Sequence, residues 1–161
     1  MNRIDVRAAV PTDAGTILTF VRELAAFEHA GHEVVATEAA VRESIFAEGS
    51  HVEALIAEIG GEPAGFAVYF YNYSTWQGRK GLYLEDLYVS PERRGLGAGK
   101  ALLKRLAAIA RDNACGRFEW SVLDWNSEAM AVYDSVGARP QNEWIRYRIE
   151  GDALERLAAD G

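Results

Sequence analysis

The chain has 161 residues, enough for one domain with a full core and short for two, and its 49% hydrophobic and 25% charged residues are too apolar for a disordered chain. The longest apolar runs fall far short of the roughly 20 residues that cross a bilayer, and residues 1–9 carry Arg and Asp where a signal peptide would be apolar, so a cytoplasmic protein without membrane contact is expected. A net charge of −7 repels a phosphate backbone, argues against nucleic-acid binding and fits a cationic partner, while the single cysteine, Cys115, permits no intrachain disulfide.

In chain order, Ile4 to Val10 reads as a strand. Pro11 to Glu28 reads as a helix with Ile17, Val21 and Leu24 on one face and Thr12 as its cap. A shorter helix opens at Thr37, with Glu38 in its first turn, and runs to Phe46. Val52 to Tyr73 gives two β-rich runs around Gly60-Gly61, a hairpin signature, and Gly81 to Val89 is a further strand. From Gly97 to about Asn113, Leu102, Leu103, Leu106, Ile109 and Ala110 form the buried stripe of a helix. Gly116 to Trp125 is expected to be a strand. A helix follows, started by Asn126 or Ser127 and stopped at Gly137, then a last strand at Trp144 to Glu150 and a short terminal helix. The order predicts one mixed α/β domain over 1–161.

Two stretches depart from plain architecture. In Leu82 to Val89 the apolar alternation runs Leu82, Leu84 and resumes at Leu87, Val89, a change of phase across Glu85-Asp86 that fits either a β-bulge or an edge strand with two solvated charges. Adjacent carboxylates point to opposite faces of a regular strand, so only a bulge lets both serve one cleft. Gly95, Gly97 and Gly99 stand directly before a strong helix former, where each glycine costs about 1 kcal/mol relative to alanine. The spacing matches neither a nucleotide-triphosphate loop, since Ala101 follows Lys100, nor a dinucleotide fingerprint. Either the glycines punctuate a tight turn, or they clear space for an anion at the free amides of the helix start, flanked by Arg93, Arg94 and Lys100. Glu28, His29, His32 and Glu33 do not make a zinc site, because Gly31 interrupts the segment; a mobile loop is expected there, and no metal.

The stretch Arg94-Gly95-Leu96-Gly97-Ala98-Gly99 resembles the Arg/Gln-x-x-Gly-x-Gly/Ala motif of the GNAT superfamily of N-acetyltransferases, and with "LYLEDLYV" and "WNSEAMAVYDSVGA" the chain is similar to its diamine acetyltransferase branch from about Ile4 onward. The resemblance implies a mostly antiparallel twisted sheet flanked by helices, and acetyl-coenzyme A as acetyl donor. It implies that Arg94 to Lys100 hold the donor's pyrophosphate, that the backbone of Leu87, Tyr88 and Val89 faces its pantetheine arm, and that Asn126 contacts it. On the same ground Glu85 is the general base, acting through a water, Tyr133 gives a proton to the departing thiolate, and Glu28, Asp86 and Trp76 face the amine. A base is required, because an amine of pKa ~10.4 is almost wholly protonated at neutral pH. Two departures stand out. Ser74-Thr75-Trp76 replace the Asp-Pro-Trp of polyamine-acetylating members, which favours a shorter amine, and Asp134-Ser135-Val136 replace basic residues that reach the nucleotide end of the donor in some relatives. With no supported nucleophile, direct transfer in a ternary complex is expected. Acetylation of a protein lysine or N-terminus, and coenzyme A sensing without turnover, stay open as alternatives. A homodimer is expected by resemblance.

Overall fold

Residues 3–160 are described in a computed structural model of the chain. They form two units, divided between Leu123 and Asp124.

The first unit is a five-stranded sheet in the order β1 (Ile4–Ala8), β2 (Val52–Ile59), β3 (Glu62–Ser74), β4 (Arg79–Val89) and β5 (Phe118–Trp120), antiparallel except for the parallel pair β4 and β5. The turn between β2 and β3 is Gly60-Gly61, with φ of 60° and 86°, the pair of left-handed residues that a two-residue hairpin of primed type requires. Two helices, α1 (Ala14–Phe27) and α2 (Glu38–Phe46), cover one face: Ile17, Leu18, Phe20 and Val41 bury against Ala54, Ile56, Phe66, Val68 and Tyr88. The other face belongs to α3 (Ala98–Asp112), whose Leu102 and Leu106 are fully buried.

The start of α1 differs from expectation. Thr12 caps nothing; Asp13 closes the entry, accepting from Val10 N at 2.8 Å and from both Nη atoms of Arg7 at 2.7 and 3.0 Å. The Arg7 guanidinium holds the Asp13 carboxyl below the ordinary carboxylate range. At α2 the Thr37 hydroxyl accepts from Ala40 N at 3.1 Å, the cap read from sequence. The helix α1 ends in a Schellman turn with His29 in the left-handed region (φ 59°), Ala30 N donating to Ala25 O.

In the second unit Asn126 Oδ1 accepts from Ala129 N at 3.3 Å to start α4 (Ser127–Ser135), and Gly137 (φ 93°) ends it. A final helix, α5 (Gly151–Ala159), closes the chain. Two strand expectations are corrected. The Gly116 to Trp125 strand is formed only at Phe118–Trp120, because its ladder reaches only Leu82–Leu84 of β4. Trp144 to Glu150 is in no strand, and Trp144, Ile145 and Tyr147 are 72%, 77% and 92% exposed. Alternation supplies a face, but a strand also needs a neighbour for its N–H and C=O groups.

Candidate active site

The register of β3 against β4 decides the ambiguity at Glu85-Asp86. Tyr69 pairs with Leu84 and Val68 with Asp86, so Glu85 is the extra residue of a bulge. Leu84 is buried on the α3 side. Beyond the bulge, Leu87 and Val89 again approach α3, since a Cβ on Gly99 would meet their side chains at 4.0 and 3.7 Å. Asp86 and Tyr88 are thereby turned to the α1 face, where Asp86 pairs with the core residue Val68. A regular strand would put Asp86 with Leu84 under α3; the bulge delivers it to the end of α1, where Glu28 is the last capping residue.

These three acids form an electrostatic cluster. Burial, with the nearby charges of Glu85 and Glu28, pushes the Asp86 carboxyl up to about 6. Burial also raises Glu28. Glu85 itself is exposed. A cation beside Asp86 and Glu28 would favour their charged forms.

Past Leu84, β5 no longer pairs with β4, so within this unit the second edge of Glu85 to Val89 has no strand against it. At the end of that open edge a turn at Pro91–Arg93 leads into Gly95 and Gly97, with φ of 80° and 99°. Gly97 is the N-cap of α3 and provides no side-chain cap, and Ala101 N is the first amide to bond back, to Gly97 O. The amides of Ala98, Gly99 and Lys100 are left for something else. The flanking cations are not equivalent. Arg93 Nη1 donates to Ile59 O at 3.4 Å and Arg94 Nε to Val89 O at 2.9 Å, so both guanidiniums hold the loop to the sheet, while Lys100 is exposed and without an ion pair among the described residues. Leu96 is 54% exposed and Ala98 buried.

Comparison with known proteins agrees with this arrangement. The model of the acetyltransferase (GNAT) family matches residues 18–138. The chain belongs to the GNAT acetyltransferase family. Thialysine N-epsilon-acetyltransferase of Sus scrofa is 41% identical over 169 residues, covering 98% of this chain and 99% of the relative. L-ornithine N5-acetyltransferase of Arabidopsis thaliana is 28% identical, covering 94% and 86%. Among solved structures, an integron cassette protein from V. cholerae superposes with a TM-score of 0.81 at 28% identity, covering 98% of both chains. The aminoglycoside N-acetyltransferase AAC(6')-Iy, crystallised with CoA, superposes with a TM-score of 0.75 at 19% identity, covering 94% of this chain and 97% of that one, a likeness of fold alone.

As a GNAT acetyltransferase the chain uses acetyl-CoA, and the free amides and left-handed glycines of the loop fit its pyrophosphate, since they offer donors and close approach. Two expectations from sequence are placed elsewhere. Trp76 is 85% exposed on the turn joining β3 to β4, and from Arg79 to Glu85 the strand runs about 20 Å at ~3.3 Å per residue, so Trp76 is not brought to the acidic cluster. Ser74 is buried on the same turn and its hydroxyl accepts from Gln77 N at 3.1 Å, a turn-closing role that says nothing about a missing anion for a polyamine. Asn126 and Tyr133 lie in the second unit, where the Asn126 side chain caps α4 and Tyr133 is half-buried on that helix. One residue was missed. A Cβ on Gly65 would collide with Tyr88 O, so only glycine lets β3 approach β4 this closely at that point. Its signal in the sequence is a glycine inside an otherwise strong strand.

Proposed function

We propose that the chain transfers the acetyl group of acetyl-CoA to the primary amine of a small cation, a lysine analogue or short diamine, by direct attack in a ternary complex. The observation that carries this reading is the bulge at Glu85, which gathers Glu85, Asp86 and Glu28 beside an open strand edge that leads to free helix amides. Acids concentrated at one point suit a molecule whose second charge is near its reacting amine. Thialysine and ornithine, the substrates for which the two relatives are named, are of this kind.

When bound, acetyl-CoA supplies an acyl group activated on sulfur. The amides of Ala98, Gly99 and Lys100 and the Lys100 ammonium would hold its pyrophosphate, and the backbone of Leu87, Tyr88 and Val89 its arm. Asp86 and Glu28 hold the substrate ammonium, and Glu85 takes the amine's proton through a water, so that the nitrogen lone pair is free to attack. Tyr133 gives a proton to the departing thiolate. One catalytic domain, a cytoplasmic location and a homodimer complete the reading; the dimer is supported by the apolar run Trp144, Ile145, Tyr147 and Ile149, exposed in a single copy.

The test is a thiol-release assay over thialysine, ornithine, short diamines, spermidine, spermine and a lysine-bearing peptide. The highest kcat/KM is expected for the first three classes. A peptide or spermine preferred by tenfold, about 1.4 kcal/mol of transition-state binding, overturns the assignment of substrate. Release with no amine overturns direct transfer.

A further inference from the structure

The Arg94 side chain does more than flank the loop. Its Nε donates to Val89 O, the last carbonyl of β4, and its guanidinium carbon lies 5.5 Å from the ring centroid of Phe27 and 5.4 Å from that of Tyr88. Phe27 is the last residue of α1, directly before Glu28. Tyr88 is also tied to α1, its hydroxyl donating to Glu23 Oε1 at 3.3 Å. One cation thus joins three segments with different tasks: the glycine loop that it belongs to, the strand end, and the helix end that carries an acid of the cluster. A guanidinium over a ring face within about 6 Å is attracted by the ring quadrupole, weakly at an exposed site and more strongly once desolvated.

We propose that Arg94 is a positioning residue that couples filling of the glycine loop to the placement of Glu28. An anion at the loop amides excludes water from the guanidinium beside them and strengthens its hold on Phe27. The last turn of α1 is then fixed and Glu28 is set for the amine. The device favours an order in which acetyl-CoA enters first. It rests on the proposed reading that the loop binds the donor's pyrophosphate.

Backbone hydrogen exchange at residues 28–30, with and without CoA, tests the inference without turnover. In the wild type, CoA is expected to slow exchange there at least fivefold. Arg94→Lys, which keeps the charge but loses the planar face and the Nε donor, and Phe27→Leu should both bind CoA within about threefold of wild type and lose that protection. Phe27→Tyr, which keeps the ring face, should retain it. In steady state the first two should raise the amine KM three- to tenfold with kcat within twofold, and the double variant should be no worse than either single. If CoA binds the wild type and protection is absent, or persists in both variants, or the effects on KM multiply, the coupling is refuted and the function stands. If the wild type binds no CoA, the loop assignment and the coupling fall together.

Discussion

The acidic cluster makes a demand on stability that can be measured without any substrate. The Asp86 carboxyl is displaced from an ordinary value of 3.8 to about 6 by burial and by two like charges. Because the folded state raises it, folding is unaffected well below pH 3.8, where the group is protonated in both states; the penalty grows above that and levels off once pH has passed about 6. At 1.36 kcal/mol per pKa unit the full penalty is about 3 kcal/mol, and linkage places about 1.6 kcal/mol of it at pH 5. Asp86→Asn removes the charge and leaves a similar shape, so its stability relative to wild type should rise by about 1.4 kcal/mol between pH 5 and pH 8. For a chain of this length that is a widening of the difference in thermal midpoint by ~3–6 °C. Any fixed cost of the asparagine amide cancels in the comparison between the two pH values. Thermal unfolding of the free protein in matched ionic strength is the assay. A difference in midpoint that is the same at both pH values, or that shrinks as pH rises, refutes the account of the cluster. The same substitution should raise the amine KM, so that gain of stability and loss of function share one cause.

Gly65→Ala should lower stability by ~1–3 kcal/mol through overpacking against Tyr88 O, read as a fall in thermal midpoint; a midpoint within a degree of wild type means that the strands separate freely there. Tyr133→Phe should lower kcat by ~10²-fold or more while the CoA dissociation constant, by calorimetry, changes less than twofold; full turnover makes the tyrosine a packing residue only.

The sheet, the helices α1, α2 and α3 and the glycine-led start of α3 were legible because their signals are local: periodicity, a cap such as Thr37, a pair such as Gly60-Gly61. The bulge was visible as a slip of phase, though not which residue was extra, since that is fixed by the partner strand. What the sequence could not give was placement. Trp76 and Ser74 adjoin an active strand in sequence yet sit at its far end, and nothing in the sequence says that Arg94 Nε is held by Val89 O. The strand expected at 144–150 failed for a related reason: alternation records which face is apolar, and says nothing about whether a neighbouring edge is available. Gly65 escaped because a glycine inside a strand marks a close approach without saying what approaches.

Within the first unit, the open edge of β4 has a cost unrelated to chemistry. Unpaired strand groups are a template on which another chain can add, and the apolar Leu87, Tyr88 and Val89 would make a good one. Glu85 and Asp86 stand at its entrance, on a bulge that bends the strand and with charges that repel a like edge. If the carboxylates assigned to the amine also guard this edge, removing both together should show first as turbidity during expression, before any loss of rate is recorded.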